Sequence, residues 1–270
     1  MTQKNSLTDD PYVRGTALSA RFDLTGRVAL VIGGTRGIGG AIADAFADAG
    51  ANVAVVGRSR QSLDDAVARL EAMGVKAHGI SADVADRADR ARIVPDVVSA
   101  LGKVDILVNC AGAKPLRGDM LDREPGVLES LLNVNVLSYY ELSIAAARGM
   151  KERSWGRIIN ISSATGLKAR SGMGEYAITK AAEIMMTRAF AVELGESGIT
   201  VNAIAPILTR TEFSSAQLRD ESDVERVLAA QVIKRIAEPE DVVGTALLLA
   251  SDAGAFLTGS TIVLDGGALA

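Results

Sequence analysis

The sequence predicts an α/β protein with a doubly wound, mostly parallel seven-stranded sheet flanked by helices. Three observations lead there. Short β-branched runs alternate with longer helical stretches along nearly the whole chain. The strand runs are almost continuously apolar, as strands covered on both faces are. The first of them passes directly into glycines that open a helix.

In order, Val28–Ile32 is the first strand and 41–49 an Ala-rich helix. Val53–Val56 is the second strand, Ser62–Met73 a helix, and Val75–Ile80 the third strand. Val104–Val108, Arg157–Ile161, Thr200–Ile204 and Thr261–Leu264 complete the set. One helix is expected from Leu131 to Met150 and another from about Glu175 to Leu194. Apolar residues of the latter, such as Ile184, Met185, Phe190 and Val192, exceed the stripe of about 100° that a surface helix needs; this fits either a helix well sunk in its own domain or, the favoured reading, a second face buried in a homo-oligomer (dimer or homotetramer). No repeat or linker divides the chain. Residues 24–270 are therefore one domain, preceded by a flexible N-terminal arm over 1–23.

Composition narrows the chemistry. The chain of 270 residues can bury a large core, and its 29 basic and 33 acidic residues leave a net charge of −4, without the basic footprint of a nucleic-acid binder. A single Cys excludes an internal disulfide framework, and a single His excludes a multi-His metal site, so no metal is expected. No apolar run is long enough for a membrane span, and no signal-like core opens the chain; a cytoplasmic protein is expected. Proton handling must come from residues other than His.

The stretch from Val28 to Gly39 has the glycine spacing G-x-x-x-G-x-G at Gly33, Gly37 and Gly39. Such a turn lets backbone approach a pyrophosphate, and the following helix N-terminus offers unpaired N–H groups and a favourable dipole. Gly33, Thr35, Arg36, Gly37, Ile38 and Gly39 are the candidate phosphate contacts. An NAD(H) site would carry an acid at the end of the second strand, but Gly57-Arg58-Ser59-Arg60 stands there. Arg36, Arg58 and Ser59 therefore favour the 2′-phosphate of NADP(H). Asp83 and Val84 after the third strand, and Asn109, Ala111 and Gly112 after the fourth, end at the same carboxyl edge. Cys110, between them, has no His or second thiol near it in sequence and is read as a packing residue. His78 lies away from every motif.

Tyr176 and Lys180 stand four apart at the start of a helix, so the ammonium approaches the phenol on one face. Ser162 and Ser163 end the fifth strand at the same sheet edge, Ser162 alternating away from the site. Asn135 supplies a further polar group. With these motifs in order, followed by N-x-I-x-P at Asn202–Pro206 and T-G-x-x-x-x-x-D-G-G at Thr258–Gly267, the sequence resembles the single-domain branch of the short-chain dehydrogenase/reductase family, with its Rossmann-like fold and Y-x-x-x-K active site, over about Leu24–Gly267.

The resemblance implies hydride transfer between nicotinamide and a carbonyl or secondary-alcohol substrate. Tyr176 is then the general acid or base, Lys180 lowers its pKa and binds the nicotinamide ribose, Ser163 polarises the substrate oxygen, and Asn135 holds a relay water. Pro206, Thr209 and Thr211 become cofactor contacts. Two positions depart from the family pattern: Ile32 replaces its Thr and Ile207 its Gly, and an altered loop is expected there. Lys114, Arg117, Lys168 and Arg170 are either a site for an anionic substrate or a solvated basic rim. Residues 207–238 read as a mobile lid. A 3-oxoacyl-carrier-protein reductase is one specific alternative. A non-catalytic dinucleotide-binding scaffold is another, disfavoured by the intact Asn135, Ser163, Tyr176 and Lys180 set.

Overall fold

The computed structural model describes residues 18–114 and 116–270. Of the expected arm, residues 1–17 lie outside the described residues. Leu18–Phe22 form a 3₁₀ turn, tied down by the Arg21 guanidinium, which donates to the carbonyl of Asp252 at 3.1 Å.

The strands are β1 (Val28–Ile32), β2 (Asn52–Gly57), β3 (Ala77–Ser81), β4 (Ile106–Asn109), β5 (Gly156–Ile161), β6 (Ile199–Pro206) and β7 (Thr261–Leu264). They form one sheet in the order β3-β2-β1-β4-β5-β6-β7. Every pairing is parallel, so the expected "mostly parallel" sheet is entirely so. The strand order reverses at β1, between β2 and β4. Ligands of open α/β sheets bind at such a switch point, beyond the carboxyl ends of the strands.

The helices are α1 (Gly37–Asp48), α2 (Arg60–Glu71), α3 (Arg87–Leu101), α4 (Val127–Leu132), α5 (Ser138–Glu152), α6 (Gly174–Leu194), α7 (Ser215–Leu218), α8 (Glu221–Ala230) and α9 (Glu240–Ala250). Side chains alternate across β1 and define the two layers. Ala29 and Val31 pack with Ile42 and Phe46 of α1, Leu63 of α2 and Val242 of α9. Val28, Leu30 and Ile32 pack with Ile93 of α3, Leu142 of α5 and Ala191 of α6. This two-sided burial is why central strands such as β1 read as unbroken apolar runs, whereas the edge strands β3 and β7 are only partly buried.

The helix expected over Leu131–Met150 is not continuous. α4 and α5 are joined by a π turn at Asn133–Leu137. The wider turn accommodates Asn135, fully buried, whose Oδ1 accepts from the Ala113 N–H at 2.8 Å and whose Nδ2 donates to Thr179 Oγ1 at 2.9 Å. Residues 207–238 contain α7 and α8 and a small core of Ile207, Val227 and Ile236. Ile207 seats there without a positive φ, and its N–H donates to the carbonyl of Leu264 at 2.9 Å. At the other departure, Ile32 is buried in the sheet core; the adjacent turn is braced instead by Gly33 N–H to Val56 C=O at 2.9 Å.

Candidate active site

The carboxyl ends of the strands open onto a cleft of about 1610 Å³. One dinucleotide and a small substrate together need more than the several hundred Å³ of a usual ligand pocket, and this volume provides it. The glycine loop forms one wall. Gly33 and Gly37 have φ of +79° and +58°, and a Cβ on Gly39 would lie 2.3 Å from the Gly33 carbonyl oxygen. The α1 N-terminus has no side-chain cap and no acid in its first turn, so its dipole faces the cleft uncompensated. Those features fit a pyrophosphate.

Thr35, Ile38, Arg58, Asp83, Val84, Ala111 and Gly112 line the same cleft, as do Pro206, Thr209 and Thr211 on the far side. Two expected contacts sit elsewhere, and a third is engaged. Ser59 caps α2, its Oγ accepting from the Ser62 N–H at 3.3 Å. Asn109 points into the core, donating to Asn160 Oδ1 at 2.8 Å and Ser143 Oγ at 3.3 Å. Arg36 lines the cleft, but its guanidinium pairs across it with Glu212. Arg58 forms no ion pair among the described residues and is exposed at the mouth.

At the floor, β5 delivers Ser163 and α6 delivers Tyr176 and Lys180. Ser163 begins the 3₁₀ turn Ala164–Gly166, its Oγ accepting from the Thr165 N–H at 3.1 Å. Lys180 Nζ lies 5.6 Å from the centre of the Tyr176 ring. Burial pushes the Tyr176 phenol up, while the Lys180 charge and a hydrogen bond with Ser163 pull it down. Ser162 turns away from this group, its hydroxyl donating to the Lys180 carbonyl at 2.9 Å. Asn135 is spent on the wall, tying the turn after β4 to α6. Burial pushes the Cys110 thiol up to about 12, so it stays protonated beside the site. His78 lies within β3, paired with Ala54 and away from this group.

Sequence reasoning missed Glu183. It is fully buried, and its carboxylate accepts from Lys180 Nζ at 2.8 and 3.0 Å. The available signal was a carboxylate three residues beyond Lys180 on a helix otherwise apolar at that level, Ala181-Ala182-Glu183-Ile184.

A glycine-lined cleft at the switch point of a parallel sheet, with a phenol, an ammonium and a serine at its floor, defines the α/β oxidoreductase class. The family model described as "Enoyl-(Acyl carrier protein) reductase" matches residues 32–268. "Dehydrogenase/reductase SDR family member 4" of Bos taurus is 37% identical over 252 residues, 93% of this chain and 90% of that protein. The crystal structure of a gluconate 5-dehydrogenase from Burkholderia cenocepacia J2315 with NADP and tartrate superposes with a TM-score of 0.89 at 32% identity, covering 94% of this chain and 99% of that one. A 7α-hydroxysteroid dehydrogenase with NADH and 7-oxo glycochenodeoxycholic acid gives a TM-score of 0.89 at 31% identity, covering 93% and 98%. The chain belongs to the short-chain dehydrogenase/reductase family, and it is an oxidoreductase of that family.

Proposed function

We propose that the protein is an NADP(H)-dependent oxidoreductase acting on a carbonyl or secondary alcohol, with Tyr176 as its proton donor and acceptor. The observation carrying this reading is the Tyr176–Lys180–Ser163 group at the floor of the cleft. Arg58, exposed at the mouth and in no ion pair among the described residues, favours NADP(H) over NAD(H).

The nicotinamide, when bound, supplies or accepts the hydride. In reduction the Tyr176 hydroxyl donates its proton to the carbonyl oxygen, and Ser163 donates a hydrogen bond to the same oxygen. Lys180 favours the phenolate that Tyr176 leaves behind. Asn135 acts here as a positioning residue, because both ends of its side chain are engaged. The cofactor contacts are the glycine loop with Thr35 and Ile38, the cleft-facing Asp83, Val84, Ala111 and Gly112, and Thr209 and Thr211 beyond Pro206. The exposed apolar residues Ile178, Met185 and Val192 on α6 are the surface of a homo-oligomer.

The substrate carries a carboxylate. Lys168 and Arg170 line the cleft between Ser163 and Tyr176 and form no ion pair among the described residues. The tartrate and the bile acid bound by the two solved relatives support this choice. The test is NADPH oxidation across ketones with and without a carboxylate group. We expect turnover of the carboxylated set, weakening with salt and in the Lys168→Met/Arg170→Met double variant. NADPH binding without turnover of any ketone or alcohol would overturn the enzymatic reading.

A further inference from the structure

Along α6, Tyr176, Lys180, Glu183 and Thr187 form one buried polar stripe. Lys180 Nζ has three acceptors: both Glu183 carboxylate oxygens, and the Ile161 carbonyl at 3.0 Å. An ammonium has three N–H bonds, and at least two of them are engaged by this carboxylate and carbonyl. The stripe continues through Thr187, whose Oγ1 donates to the Glu183 carbonyl at 2.8 Å and accepts from Asn160 Nδ2 at 2.9 Å. Glu183 is therefore held by both its backbone and its carboxylate.

A buried ion pair is not a convincing stabilising device, because taking both charges out of water offsets most of their attraction. Its position is more informative than its energy. The groups around it are Lys180 and Tyr176 on α6, Tyr139 on α5, Ser162 after β5 and Cys110 after β4. Among them Lys180 carries the positive charge. A second, negative charge fixed on Lys180 acts on the phenol through the same low-dielectric interior.

We propose that Glu183 is a positioning residue that holds the Lys180 ammonium and sets the acidity of Tyr176, by partly cancelling the positive charge the phenol experiences. This rests on the assignment of Tyr176 and Lys180 as the proton-handling pair, and extends it to a third group. Glu183 raises the Tyr176 pKa and Lys180 lowers it, with burial the largest raising cause. Burial also pushes the Glu183 carboxyl up to about 7 against the pull of Lys180. Removing the negative charge of Glu183 uncovers the Lys180 charge and makes Tyr176 a stronger acid.

The test is titration of tyrosinate absorbance in the ligand-free protein, with Tyr176→Phe subtracted to isolate one phenol. In Glu183→Gln we expect that phenol to titrate about one pH unit lower than in the wild type, the size of a nearby-charge effect. Glu183→Asp, which keeps the charge, should restore most of the wild-type value, and Lys180→Met should move it upward. An unchanged or raised midpoint in Glu183→Gln, with Lys180→Met still raising it, overturns the role of Glu183 while leaving the catalytic pair intact. No shift in Lys180→Met overturns the pair itself. If Glu183→Gln does not fold, isotope-edited NMR of the wild-type Lys180 side-chain nitrogen decides. Ammonium protons protected from exchange with water support the pairing with Glu183, and exchange as fast as at a surface lysine overturns it.

Discussion

Lys180 Nζ donates to the main-chain carbonyl of Ile161 at 3.0 Å, joining the fourth helical position after Tyr176 to the last residue of β5. This bond ties the start of α6 to the carboxyl end of β5. Ser163 stands two residues beyond Ile161, so one contact registers the helix-borne phenol and ammonium against the strand-borne serine. The site is assembled by strand–helix packing, and disturbing either partner should change turnover more than fold.

Tyr176→Phe removes the proton donor and keeps the ring. Turnover should fall by about 10²- to 10⁴-fold, the usual contribution of a positioned acid or base. NADPH affinity, measured by fluorescence titration, should stay close to the wild type. Turnover at the wild-type rate would show that another group delivers the proton.

Arg58→Ala tests the nucleotide preference. NADPH binding should weaken by about 10- to 100-fold through loss of a charge-assisted contact, while NADH binding changes little. Equal losses for both nucleotides would place the 2′-phosphate elsewhere. Because Arg36 is shared with Glu212, Glu212→Gln should strengthen NADPH binding in the same titration.

Gly39→Ala places a methyl carbon 2.3 Å from the Gly33 carbonyl oxygen. Neither backbone can yield without moving the phosphate loop. A destabilisation of about 1–3 kcal/mol, as for overpacking elsewhere, should appear in thermal unfolding together with weaker binding of both nucleotides. Unaltered binding would separate the loop from the cofactor site.

Cys110 supplies a pH-dependent prediction. Its pKa is raised from 9.0 to about 12 by burial, so the folded state favours the thiol. Its contribution to stability is complete below pH 9 and is lost as pH rises towards 12. At pH 8 the thiolate is roughly one part in 10⁴, and a thiol reagent should modify the native protein far more slowly than the unfolded chain. Equal rates would show an accessible, ionised sulfur.

The sequence by itself determined the architecture. Seven apolar runs spaced by helical stretches admit a two-faced parallel sheet, since β1 buries Ala29 and Val31 on one side and Leu30 and Ile32 on the other. It also marked the glycine loop and the Tyr176–Lys180 pair, because backbone freedom and helical spacing are local properties. Tertiary structure decided what depends on contacts distant in the chain. Asn109 turns inward because Asn160, 51 positions on, meets it across β4 and β5. Arg36 is held by Glu212, 176 positions away. The π turn at Asn135 exists where Ala113 and Thr179 both claim that side chain. Glu183 lies three residues from Lys180, yet only the packing of α6 against the sheet buries both charges and makes the pair part of the site. Spacing is written in the chain, whereas burial and partner choice arise when the layers close.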